Sequence, residues 1–146
     1  MNTDENFMKE ALAQAEIALS HAQVPIGCVI VRGNNVIARA ANATSISPIH
    51  HAEMIAMADI DVRKEFQLYV TVEPCIMCIS ALMQTACSRI VYGAKNDKFG
   101  GCGGVIRVAP QSPWREIEIV DNVLRDSAVL LLQKFFAIPN QNTLKV

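Results

Sequence analysis

Leu68-Tyr69-Val70-Thr71-Val72-Glu73-Pro74-Cys75-Ile76-Met77-Cys78 is an apolar, β-rich run that breaks at a proline into a segment carrying two thiols. The β-branched and aromatic residues over 68–72 favour a strand. Pro74 suits the first turn of a helix, where a missing N–H costs nothing, and the helix is predicted to run to about residue 86. Cys75 and Cys78 then share one face at the helix N-terminus, where thiolates are favoured over thiols. A strand running straight into a helix is the unit of a layered α/β domain, so this stretch sets the fold class. Taken alone, the Cys-x-x-Cys pair is also compatible with thiol redox exchange or with two buried thiols.

Working outward, Phe7, Met8, Ala11, Leu12, Ala15, Ala18 and Leu19 fall at helical spacing and predict a first helix over about 4–21. Residues 26–32 and 36–40 read as strands, and Gly33-Asn34-Asn35 between them is hairpin turn chemistry. A loop containing Pro48 leads to a helix over about 51–61. Beyond the Cys pair come a strand over 89–92 and a loop bearing Gly100, Gly101, Gly103 and Gly104. A last strand over 117–120 and a last helix over 123–136 follow. No repeat, low-complexity tract or linker divides the chain, so residues 1–146 are expected to form a single α/β domain.

With 51% hydrophobic and 18% charged residues, the chain has the composition of a folded globule with a core of its own. No apolar run approaches the roughly 18 residues of a membrane span. The acidic start, Met1-Asn2-Thr3-Asp4-Glu5, lacks the basic and apolar regions of a secretory signal. The cytoplasm is therefore the expected compartment, with the nucleus open to a eukaryotic protein. Five cysteines, an odd number, make a poor disulfide framework and a good metal or redox pattern in a reducing compartment. A net charge of −1 argues against generic polyanion binding, leaving room for local basic patches or for charge supplied by a partner.

His51-Ala52-Glu53, at the predicted start of another helix, decides the chemistry. One imidazole and two thiolates form a three-ligand zinc set with an open fourth position, as in catalytic sites. Glu53 stands two residues from His51 and points elsewhere on a regular helix, which casts it as the catalytic proton carrier and not as a ligand. A structural zinc needs a fourth protein ligand. Cys87, on a continuation of the Cys75–Cys78 helix, lies half a turn out of phase and faces away. Cys102 can in principle reach the site, but would displace the water that Glu53 is placed to serve. His50 lacks the H-x-E register, His21 sits at a helix end, and Cys28 and Cys87 read as small core residues. The expected chemistry is hydrolytic: zinc lowers the pKa of water from 15.7 to around 7, and Glu53 moves the protons. Backbone groups around Ala52 and Glu73 are candidates to hold the amino group and the new oxygen.

H-x-E followed by P-C-x-x-C is the pattern of zinc deaminases. From Val24 to about Arg107 the chain resembles the tRNA adenosine deaminases, which convert a wobble adenosine to inosine. The resemblance is carried by Val24-Pro25-Ile26-Gly27-Cys28, His51-Ala52-Glu53-Met54, the 68–78 stretch and Val91-Tyr92-Gly93-Ala94. It implies a three-layer α/β/α cytidine deaminase-like fold with a central mixed sheet of about five strands. It implies Zn2+ on His51, Cys75 and Cys78, Glu53 as the catalytic residue, and Asn42, Ala52, Glu73 and Pro74 around the substrate. A deaminase of free cytosine or guanine on the same fold is the alternative.

The implied partners are the anticodon loop of tRNA and a second subunit, with no membrane. The segment from Asn96 to Val105 is similar to the catalytic subunit of the eukaryotic heterodimer, which pairs with a degenerate sister. Pro48 and the 117–136 region are more similar to the bacterial homodimer. Lys95, Lys98 and Arg107 flank the glycine-rich loop and are candidate phosphate contacts. Phe135 and Phe136 are candidates for base stacking, at least one of them expected in a core or interface. The tail over 139–146 adds only Lys145 to the basic residues.

Overall fold

Alternation along the strands lets one sheet serve two helical layers. The computed structural model describes residues 3–107 and 116–139. Their order is α1 (Thr3–Ser20), β1 (Gly27–Arg32), β2 (Asn35–Ala41), α2 (Ala52–Ala58), β3 (Phe66–Val72), α3 (Ile76–Leu82), β4 (Cys87–Ala94), β5 (Glu118–Val120) and α4 (Arg125–Phe136). The five strands form one mixed sheet in the order β2-β1-β3-β4-β5. β1 pairs antiparallel with β2 and β3, whereas β3–β4 and β4–β5 are parallel. The expected five-stranded mixed sheet is therefore present.

In β1, Cys28 and Ile30 point into the larger core, while Val29 and Val31 point into the smaller one. In β3, Leu68 and Val70 face the first and Tyr69 the second. The larger core is covered by α2 and α3, through Ala52, Ala56, Ile79 and Leu82. The smaller one is covered by α1, through Met8 and Ala11, and α4 packs beside α1 against β4. Three α/β/α layers result, as expected. Helix α1 crosses the sheet so closely that an added Cβ at Gly27 would run into the backbone of Ala11 and Ala15. Gly33 takes φ +64° in the β1–β2 turn, a left-handed conformation that glycine adopts without steric cost.

The clearest departure from expectation is α3, which ends at Leu82 and not near residue 86. Thr85 donates its hydroxyl to the Leu82 carbonyl at 2.6 Å and accepts the Cys87 N–H at 3.1 Å. These side-chain bonds close the helix and turn the chain into β4. Cys87 thus lies on a strand rather than on a continuing helix, although it is fully buried in the core, as its reading as a core residue required. All five cysteines are free. Among the described residues, no helix is long and apolar enough to cross a membrane. Lys145 falls outside them.

Candidate metal and catalytic site

β3 delivers Cys75 to the start of α3, and the loop after β2 delivers His51 to the start of α2. Both residues are N-caps with extended backbone, at φ −68°, ψ 150° for His51 and φ −69°, ψ 171° for Cys75. The Cys75 sulfur accepts the Cys78 N–H at 3.5 Å, which satisfies one of the unpaired donors at the helix start. His51 Nδ1 lies 3.5 Å from Cys75 Sγ and 3.6 Å from Cys78 Sγ. A tetrahedral zinc with bonds of about 2.3 Å to sulfur and about 2.0 Å to nitrogen requires an S···N edge of roughly 3.5 Å. The donor types and their separations therefore fit zinc. Among the described residues, no fourth His, Cys, Asp or Glu joins this group. Cys102 is buried outside it, and burial pushes its thiol up to about 12.

Between the two thiols, charge is divided unequally. The hydrogen bond from Cys78 holds the Cys75 thiol down at about 4, helped by His51, while the same bond and burial push Cys78 up. Glu53 is only 3% exposed. Burial raises its carboxyl from 4.5 to about 7, with the Cys75 charge adding to the effect. Because His51 caps the helix from outside, Glu53 does not turn away from it: both side chains line one inner pocket with Asn42, Glu73, Cys75 and Asn96. That pocket is about 10 Å³. His51 and Cys75 also line an outer cleft of about 480 Å³, whose walls include Val24, Pro48, Ile76 and Phe99.

Of the other expected substrate residues, Asn42 is 5% exposed. It lines the inner pocket, with no hydrogen bond to its side-chain amide from any described residue. Ala52 is fully buried as the first residue of α2. Pro74 is buried and its carbonyl accepts the Gly101 N–H at 2.9 Å. Glu73 was expected to act through its backbone. Its carboxylate instead accepts the N–H groups of Asn96, Cys102 and Gly104 at 3.2, 2.9 and 2.8 Å. Lys95, Lys98 and Arg107 are exposed around the glycine-rich loop and line neither cavity. Phe135 is buried in the core and Phe136 meets it edge-on, both on the α4 layer across the sheet from α2 and α3. Sequence reasoning did not single out Asn96 or Phe99. The Asn96 side chain accepts the Lys98 and Phe99 N–H groups, and an Asn opening a Gly-rich loop was the available signal.

The cytidine and deoxycytidylate deaminase zinc-binding region matches residues 1–94. The chain is 40% identical to the tRNA-specific adenosine deaminase subunit tad2 of Schizosaccharomyces pombe over 145 residues, covering 93% of this chain but only 38% of that protein. It is 35% identical to the tRNA-specific adenosine deaminase 2 of Xenopus tropicalis over 155 residues, covering 94% of this chain and 91% of that one. A solved structure from studies of A-to-I editing by tRNA:A34 deaminases at the wobble position superposes with a TM-score of 0.81 at 30% identity. It covers 87% of this chain and 99% of its own.

Proposed function

The chain belongs to the cytidine and deoxycytidylate deaminase zinc-binding family, and from that premise we infer that it hydrolytically deaminates adenosine to inosine at the wobble position of tRNA. The observation that carries the reading is the buried Glu53 carboxyl in an inner pocket with His51 and Cys75, two members of the His51–Cys75–Cys78 cluster that also line the outer cleft. Adenosine in tRNA is favoured over a free base by the relatives, which act on tRNA by name.

His51 Nδ1 and the sulfurs of Cys75 and Cys78 would hold zinc, which would supply Lewis-acid activation of water near neutral pH. Glu53 accepts a proton from the attacking water and delivers it to a ring nitrogen as the oxygen bonds to the amino-bearing carbon. The same carboxyl then takes the proton of the newly added hydroxyl and passes it to the amino nitrogen, which departs as ammonia as the carbonyl of inosine forms. Glu53, buried and lining one pocket with His51 and Cys75, is placed both to take and to return the proton. The Asn42 amide, which no described residue engages, is a donor and acceptor for the target nucleotide.

The same reading calls for a second subunit, whether an identical copy or a degenerate sister. Ile46 and Ile49 before α2, and Phe99, Val105 and Ile106 in the glycine-rich loop, are large apolar side chains left exposed on loops near the cleft. Lys95, Lys98 and Arg107 supply little of the charge that a tRNA backbone requires. The cytoplasm or nucleus is the place of action this substrate implies. The test offers the purified protein an anticodon stem-loop, full-length tRNA, cytosine and guanine side by side. Inosine from RNA with both bases untouched is expected. Turnover of a free base with RNA untouched overturns the reading.

A further inference from the structure

We propose that Glu73 is a positioning residue, which shapes the substrate cavities by pinning the glycine-rich loop to the metal-ligating segment; the proposal rests on the deaminase reading. Glu73 is 2% exposed and stands two residues before Cys75. Its Oε1 accepts the Asn96 N–H at 3.2 Å, and its Oε2 accepts those of Cys102 and Gly104 at 2.9 and 2.8 Å. All three donors belong to a single loop, and both ends of that loop are held by one side chain. A buried carboxylate with converging N–H donors is a strong and directional anchor.

What the anchor holds is the wall of the site. Asn96 lines the inner pocket beside Glu53, and Phe99 lines the outer cleft. The loop is also stitched to the cysteine segment, since the Ile76 N–H donates to the Phe99 carbonyl at 2.8 Å and the Gly101 N–H to the Pro74 carbonyl at 2.9 Å. The glycines make this approach possible. A Cβ at Gly100 would collide with the Glu73 carboxylate, and one at Gly104 with the carboxylate and the Asn96 carbonyl. Loop composition and the Glu73 side chain thus form one device.

The test compares Glu73→Ala and Glu73→Gln with wild type, all zinc-loaded, by zinc content, thermal melting, hydrogen exchange over 96–104 and steady-state kinetics on an anticodon stem-loop. Folded, zinc-loaded Glu73→Ala should exchange the 96, 102 and 104 amides at least about tenfold faster. Its kcat/KM should fall by about 10- to 100-fold, mainly through KM, because a wall is displaced while the proton carrier is untouched. Glu73→Gln keeps one acceptor oxygen and should fall between, and it carries the comparison if the alanine variant does not fold. Unchanged kcat/KM or unchanged exchange in a folded, zinc-loaded variant overturns the proposal. A wild-type protein that turns over a free base and leaves RNA untouched overturns the tRNA reading instead, with loop exchange still measuring the anchor.

Discussion

Replacing Glu53 with Gln should slow turnover by orders of magnitude and, in the same protein, stabilise the metal-free fold. The side chain is 3% exposed, and burial lifts its carboxyl from 4.5 to about 7. A group whose folded pKa is raised favours the fold below its unfolded value and loses that contribution as pH rises through the folded value. At about 1.4 kcal/mol per tenfold change in acidity, the burial costs about 3 kcal/mol above pH 7 and nothing below pH 4. Gln is nearly isosteric and carries no charge, so it escapes that cost. Urea unfolding of chelator-treated wild type and Glu53→Gln, at pH 8 and near pH 4.5, should show a gain for the variant at pH 8 that largely disappears at the lower pH. With zinc restored, turnover should fall about 10²- to 10⁴-fold, the range for one general acid–base group. Near-normal turnover, or an equal stability gain at both pH values, would refute the assignment of a buried, charge-carrying proton shuttle.

One zinc per chain is expected, with X-ray absorption reporting two sulfurs, one nitrogen and one oxygen; a third sulfur would make Cys102 a ligand and end the hydrolytic reading. Asp4 is bound bidentately by Arg89 at 2.8 Å on both oxygens and accepts the Tyr69 hydroxyl at 2.8 Å, with side chains only 20% exposed in the Asp4–Arg89 pair. The Arg89 hydrogen bonds hold the Asp4 carboxyl below 3.8. Its contribution is therefore present above pH 3.8 and lost as pH falls through the lower folded value. Asp4→Asn should cost about 1–2 kcal/mol at pH 7 in denaturant unfolding, and the difference should shrink as pH falls through the lowered folded value of the carboxyl. Conversion of full-length tRNA should decline on dilution and with added salt. A monomer that keeps full activity where light scattering detects no dimer would remove the second subunit from the proposal.

The sequence alone determined the layered α/β class and singled out the His51, Cys75 and Cys78 group that the fold brings together, because both are written in short-range patterns. Strand and helix periodicities occupy a few residues each, and His51, Cys75 and Cys78 stand at helix starts that Pro74 and the neighbouring runs mark locally. Tertiary structure decided the rest. The extended backbone of His51, which brings Glu53 into the same pocket, depends on how the chain enters α2 from the 43–50 loop. The early end of α3 follows from two Thr85 bonds that helical periodicity does not register. Asn96 and Phe99 line the cavities from a loop whose N–H groups meet the Glu73 carboxylate, more than twenty residues distant in sequence. A buried carboxylate chooses its donors by proximity in the folded chain, and that proximity has no period and no local spacing from which it can be read.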